Sequence, residues 1–195
     1  RLRQVIKSEL FDVSLLPVVQ LFNSYFGGSM NAIVFQEMRE KRSLAYSANS
    51  TFATPSTYDK SFINYSFIAT QNDKVEDSFD AFNELFDEMP ISLKAFDFAK
   101  ESILNRIETE RIVKMNIIWT YLANARLGID NDYRKDIYKA VAAMTIDDVV
   151  NFNQKYLKNK SKTYIVLGRE SDIDFKALKK YGKVKKLSQK MIFGY

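Results

Sequence analysis

The stretch that decides how this chain is read runs from Gly27 to Ser47, GGSMNAIVFQEMREKRSLAYS. A glycine pair is followed by apolar residues at helical spacing (Ile33, Val34, Met38), then a cluster of charge, then Leu44-Ala-Tyr-Ser, where the period changes to two. A period near 3.6 marks a helix with one buried face, and a period of two marks a strand. The stretch therefore reads as helix, turn, strand, with Arg39 at the end of the helix and Tyr46 seven residues on, where the strand begins. Capping and packing account for both residues, since a cation in a last helical turn complements the dipole by about 0.3–1 kcal/mol. Arg42 or Lys41 could serve that end equally well. The alternative is that Arg39 and Tyr46 reach one point in space and hold a peptide there.

Upstream, Gln4 to Phe11 alternates loosely and reads as a first strand. Asp12 or Ser14 then caps a helix with Pro17 in its first turn, where a missing N–H costs little. Leu15, Leu16, Val18, Val19, Phe22 and Phe26 form its stripe, and Gly27 and Gly28 read as a stop that uses φ > 0. Downstream, Leu44, Tyr46, Ala48 and Phe52 fall on one face of a strand, and a turn over 54–59 leads into a second strand over 61–70. Asp73 with Glu76 resembles a capping box, and Val75, Phe79, Phe82, Leu85, Phe86 and Met89 make one apolar stripe with a solvated acidic face opposite. Ser92 begins a long helical region, broken between Glu110 and Asn116 and ending at Gly128, in which Trp119 with Ile117, Ile118 and Leu122 reads as core. Helices over 133–143 and 145–157, a short buried strand over 163–168 and a last helix from Ser171 to Lys183 complete the chain. This order gives an α+β two-layer fold: helices on one face of a mostly antiparallel sheet.

Composition narrows the chemistry. The chain has no histidine and no cysteine. Zinc favours N and S ligands, so the composition argues against a zinc site, and imidazole acid/base work and Ser-His or Cys-His nucleophiles are excluded. Glu108 and Glu110 lie two apart, on different helix faces, and read as surface charge. The net charge of +5 is uneven: from Lys155 onward 12 Lys/Arg face 3 Asp/Glu. A solvated helix face and surface tail explain that excess as well as any ligand does. No apolar run approaches the roughly 20 residues of a membrane span, so a soluble segment is expected. The chain opens on Arg1 with strand-like residues, which reads as a piece of a longer polypeptide. Its compartment, bacterial cytoplasm or periplasm, therefore stays open.

The Gly27–Ser47 stretch, with the Phe26 that precedes it, resembles a segment in the noncatalytic half of the insulinase/pitrilysin-type zinc metallopeptidases, the inverzincins. Further matches run in the expected order: FIATQ (67–71), the acidic helix, ARLGID (125–130), MTIDDVVNFNQKYL (144–157) and IVLG (165–168). The resemblance covers nearly the whole chain and implies a single noncatalytic domain over 1–195, truncated at its N-terminal strand. In this family two similar halves, on one chain or two, face each other around a chamber, and one half carries zinc on an H-x-x-E-H helix. The corresponding helix here, SLLPVVQLFNSYF (14–26), has no ionisable ligand. The resemblance thus implies no metal in this chain, zinc in a partner half on the same polypeptide or another subunit, and an extended peptide substrate. It also implies that Arg39 and Tyr46 reach across to peptide bound at that zinc. Guanidinium is permanently charged and phenol stays a neutral donor near pH 7, so both can donate to a carbonyl gaining negative charge. The two glycines are too few for the longer glycine-rich loop that processing peptidases carry at this place.

Two other functions compete. A non-proteolytic relative acting as a protein-assembly subunit would have the same fold, as core subunits of respiratory complexes do. Nucleic-acid binding by the lysine-rich tail is a third class, but the excess lies on a tail and not on a basic face with aromatic interleaving, so no nucleic-acid partner is expected.

Overall fold

In the computed structural model, which describes residues 1–195, the period-two segments pair into one antiparallel sheet. Its strands are β1 (Leu2–Leu10), β2 (Ala45–Ala53), β3 (Ser61–Thr70) and β4 (Thr163–Val166), in the order β2-β3-β1-β4. The helices are α1 (Leu16–Phe22), α2 (Ile33–Phe35), α3 (Val75–Asp87), α4 (Leu93–Thr109), α5 (Lys114–Arg126), α6 (Arg134–Ala143), α7 (Ile146–Tyr156), α8 (Phe175–Leu178) and α9 (Gln189–Phe193). Both α1 and α2 run on into π-helical turns, Asn23–Gly27 and Gln36–Lys41. The α+β reading therefore holds. Leu2, Ile6, Phe52, Phe62 and Ile68 are buried on one sheet face, while Arg3, Lys7, Ile63 and Tyr65 of the alternate register are exposed.

The core is a continuous cluster that joins the buried sheet face to α1, α3, α4, α6 and α7. Its centre is aromatic: Phe22 stacks on Phe26 at 5.0 Å, and Phe152 meets Phe22 at 5.0 Å and Phe52 at 4.9 Å. Helix α1 packs against α4, α6 and α7 as well as the sheet side, so its burial is wider than one stripe. Leu21 and Tyr25, outside the expected stripe, are fully buried, and the Tyr25 hydroxyl donates to the Pro90 carbonyl at 2.7 Å.

A polar row crosses the sheet beneath the helices. Ser50 pairs with Ser66, Ser66 with Gln4, and Gln4 with Tyr164, one residue from each strand. The Ser66 hydroxyl donates to Ser50 Oγ at 3.1 Å, and Gln4 and Tyr164 both donate to Asn83 Oδ1 on α3, at 2.7 and 2.9 Å. At the outer edge of the sheet, Asn23 from the end of α1 pairs with β2. Its amide donates to the Phe52 carbonyl at 3.0 Å and accepts from the Phe52 N–H at 2.7 Å.

Several local expectations are corrected. Gly27 and Gly28 do not use positive φ; Gly28 sits at φ −128. What Gly27 supplies is room, because a Cβ there would lie 1.8 Å from the Ser50 carbonyl oxygen. The positive-φ residue of the decisive stretch is Ser43, at φ 48, in the turn between the helical segment and β2. The Asp73–Glu76 capping box does not form: Asn72–Lys74 makes a short 3₁₀ turn, and α3 starts without a side-chain cap. The box that does form is Thr145–Asp148 at the start of α7. Strand β4 is an edge strand with Ile165 exposed, so it is not buried as its apolar run suggested. The helix expected from Ser171 to Lys183 is a single turn, α8, capped by Asp174 and followed by a 3₁₀ turn, and it is not the last, since α9 lies beyond it. Trp119 is 67% exposed and belongs to no core, because α5 buries none of its residues. No helix is long and apolar enough to cross a membrane.

Candidate functional site

The turn after α2 places Arg39 and Tyr46 side by side. Arg39 sits in the π-helical turn Gln36–Lys41, anchored by fully buried Met38, whose carbonyl accepts from Leu44 N–H at 2.9 Å across the turn. Tyr46 sits where β2 begins, but it does not share a face with Phe52 as the alternation suggested. Ala45 pairs with Thr70 and Ser47 with Ala69, so Tyr46 is the extra residue of a β-bulge. A bulge re-aims the side chain it carries. Tyr46 is accordingly 82% exposed, whereas Ser50 and Phe52 further along the strand are buried.

The Arg39 guanidinium lies 4.5 Å from the Tyr46 ring centroid and 4.9 Å from that of Phe35, one helical turn earlier. Cations held against aromatic faces gain about 0.5–1 kcal/mol at exposed sites. Packing against a ring engages the guanidinium face and leaves its in-plane N–H groups available. The one charged partner of Arg39 is Glu40 at 3.4 Å, and Arg39 itself remains 37% exposed. Neither the Tyr46 hydroxyl nor the Arg39 guanidinium hydrogen-bonds to another group of the fold, so both retain donors toward solvent.

The platform beneath the pair is tied down by other charges. Arg42 forms a two-pronged bond to Glu84 on α3, with both N–H···O distances 2.8 Å. The hydrogen bond from Arg42 holds the Glu84 carboxyl below its ordinary value and, in turn, raises the Arg42 guanidinium. Lys41 pairs with buried Glu37 at 2.5 Å. Arg42 and Lys41, the competitors of Arg39, are thus taken up in ion pairs to α3 and to their own turn. Thr70 closes the far side by donating to the Leu44 carbonyl at 2.7 Å. The Arg42–Glu84 tie and the bulge were missed in the sequence, as was the role of Phe35; the spacing Phe35-x-x-x-Arg39 was the one available signal for any of them.

The segment 14–26, α1 with its π-helical extension, contains no His, Cys, Asp or Glu. Around its end, Gln20, Asn23, Ser24, Ser29, Ser102 and Arg106 line an open polar cleft of about 400 Å³, with Arg106 donating to Gln20 at 2.8 Å. No group of three or more His, Cys, Asp or Glu side chains is placed to hold a metal ion. The tail lysines are partly spent inside the fold. Lys180 bonds Glu76 at 2.8 Å and Asp80 at 2.7 Å, and Lys186 pairs with Glu170. The acidic face of α3 stays solvent-exposed, as expected, and also carries ion pairs from the C-terminal segment and from Arg42.

Known proteins resemble this chain in sequence over part of its length and in fold. Residues 12–103 match the family model described as the peptidase M16 inactive domain. That segment carries α1, the glycine pair, Arg39, Tyr46, the β2–β3 hairpin and α3, and it bears out the resemblance to a noncatalytic peptidase half. The fold agrees with it. A peptidase M16 inactive domain from Pseudomonas fluorescens superposes with TM-score 0.64 at 21% identity, over 84% of this chain and 39% of that one. A protease from Helicobacter pylori gives TM-score 0.66 at 13% identity, over 84% and 39%. An inactive peptidase domain from Bordetella parapertussis gives 0.64 at 11% identity, over 85% and 93%. The chain spans 39% of the first two of these proteins. No curated protein matches the chain by sequence.

Proposed function

We propose that this chain is the noncatalytic half of a zinc metalloendopeptidase, that it forms part of the substrate chamber, and that Arg39 and Tyr46 contact peptide held at zinc in a partner half bearing H-x-x-E-H. The observation that carries the proposal is the packing of the Arg39 guanidinium 4.5 Å from the ring of a bulge tyrosine, with only Nε of the guanidinium facing a carboxylate, Glu40. Two donors so close can serve one peptide carbonyl. As a nucleophile attacks, that oxygen gains negative charge, and donors already in place stabilise the transition state more than the ground state. A helix end and a strand supply the fixed geometry such donors need. Proteolysis requires the metal of the other half; this chain has no imidazole and no metal ligand set.

The experiment is steady-state cleavage of a peptide by the assembled enzyme. Tyr46→Phe removes one donor and is expected to lower kcat by about 10²-fold with little change in KM. Arg39→Ala is expected to lower kcat/KM at least as much. Both groups are surface residues, so stability should hold. Unchanged kinetics in both variants would overturn the roles and leave a structural assembly subunit as the reading.

A further inference from the structure

Beyond Tyr181 the chain leaves the core. Tyr181 packs on Phe79 at 5.3 Å and on Tyr164 at 5.0 Å, and Lys180 beside it is bonded to Glu76 and Asp80 on α3. No residue after Tyr181 packs against the apolar cluster, and every residue from Gly182 to Tyr195 is exposed. One side chain ties this segment back: Lys186 pairs with Glu170 and lies over the Phe175 ring at 4.6 Å. Its final turn, α9, is closed by its own bonds, from Met191 N–H to the Ser188 hydroxyl at 3.3 Å and from Gly194 N–H to the Lys190 carbonyl at 2.9 Å.

Two properties coincide on this segment. After Asp174 the sequence has seven lysines and no Asp, Glu or Arg. Lys180 and Lys186 are spent in the pairs above, whereas the others, among them Lys183, Lys185 and Lys190, form none. Interleaved with these cations, Val184, Leu187, Met191, Ile192, Phe193 and Tyr195 stand in water, with Met191 63% and Tyr195 87% exposed. A lysine run by itself is an ordinary solvated surface. Solvation leaves the six apolar side chains unexplained, and an apolar partner alone would leave the lysines without counter-charge. We infer that Gly182–Tyr195 is a peripheral anchor that lies on an anionic phospholipid surface, with its apolar side chains among the outer acyl carbons and its lysines at the phosphates. Lysine stems can follow the apolar surface while their heads stay at the interface, and basic segments with interleaved apolar residues bind anionic bilayers by both terms together. A nucleic acid would use the charge but not the four aliphatic side chains, and the segment lacks the arginine suited to reading it. Two copies packed tail to tail would bring like charges together. The anchor lies on the membrane and does not span it, since no helix is long and apolar enough to cross. None of its residues belongs to the Arg39–Tyr46 site, so the two readings are independent.

The test mixes the whole chain with vesicles of phosphatidylcholine alone, or of phosphatidylcholine and phosphatidylglycerol in equal parts, and measures bound protein by cosedimentation. The chain is expected to sediment with the mixed vesicles, not with phosphatidylcholine alone, and less so as salt is raised. Each lysine near such a surface multiplies affinity about fivefold, so the triple substitution Lys183→Gln, Lys185→Gln, Lys190→Gln is expected to weaken binding about 100-fold. Ile192→Ser with Phe193→Ser is expected to weaken it at least about 10-fold. Both variants should keep the melting temperature of the parent, because the segment contributes nothing to the core. Equal binding to both kinds of vesicle, or to neither, overturns the inference. So does an apolar double variant that binds as the parent does, since charge alone then makes the contact. Binding of single-stranded RNA or DNA as tight as that of the mixed vesicles, lost in the triple variant, overturns it in favour of nucleic acid. A dimer that the apolar double variant abolishes makes a second copy the occupant and overturns it too. A lowered melting temperature in either variant places the segment against the fold and overturns it as well.

Discussion

Gly27→Ala tests how the end of α1 is seated on the sheet. The added methyl would lie 1.8 Å from the Ser50 carbonyl oxygen and 2.9 Å from its carbon, both backbone atoms of β2. Carbon and oxygen approach no closer than roughly 3.3 Å even in favourable C–H···O contacts, so helix end and strand must part by roughly 1.5 Å. That displacement breaks the two Asn23–Phe52 hydrogen bonds, worth about 1 kcal/mol each. It also forces buried Tyr25 and Phe26 off their packing, at about 1–3 kcal/mol for an overpacked core. The expected loss is about 3–5 kcal/mol, read from urea denaturation followed by far-UV circular dichroism. Gly28→Ala is the control: its φ of −128 suits any residue and nothing lies within 4 Å of the new methyl. It should stay within about 0.5 kcal/mol of the parent. A loss below about 1 kcal/mol for Gly27→Ala, or equal losses at both positions, would refute the close-approach reasoning.

Ser43→Gly should stabilise the protein by about 0.5–1 kcal/mol in the same assay, because φ 48 strains an L residue more than glycine loses in entropy; destabilisation would show that the Ser43 side chain has an unseen role. Acid should weaken the fold through Glu84 and Asp80. Glu84 is lowered by its bond from Arg42; at Asp80 burial pushes upward, but the bonds from Lys180 and Tyr181 outweigh it. A depressed carboxyl stabilises above its unfolded pKa and loses that contribution as pH falls below about 4 toward the folded value. In Arg42→Ala the Glu84 share of this acid sensitivity should vanish from melting curves taken across pH; an identical pH profile would contradict the tie. Tyr181 is raised by burial and by its bond to Asp80, so its stabilising share is complete below pH of about 10 and is lost as pH rises further. Tyr181→Phe should cost about 1–2 kcal/mol at neutral pH and flatten the alkaline end of the profile; a profile as steep as the parent's would place the alkaline transition elsewhere.

The elements governed by local signals were legible in the sequence. Ser92 caps α4, Thr145 with Asp148 boxes the start of α7, Gly128 at φ 72 ends the α5 region, and the hairpin strand Ser61–Thr70 falls where alternation put it. What was missed depends on residues far apart in the chain. Nothing near Glu76 and Asp80 says that Lys180, about 100 positions on, will bond both of them. The bulge at Tyr46 requires knowing how β2 registers against β3, and a strict period of two put that side chain on the same face as Phe52. Trp119 was assigned to a core because apolar spacing tells that a face will be covered, not by what. Around the candidate site, the sequence reading brought Arg39 and Tyr46 toward one point, while the packing of Arg39 on Phe35 and the Arg42–Glu84 tie beneath it were not readable.

The Asn23 side chain has a further consequence. A carboxamide carries the same donor–acceptor pair as a peptide unit, so at Phe52 it stands in for the neighbour that a fifth strand would have provided. Foreign strands cannot zip onto that stretch of the outer edge without first evicting a group already well seated, and growth of the sheet into fibrils from this side is blocked by a single amide.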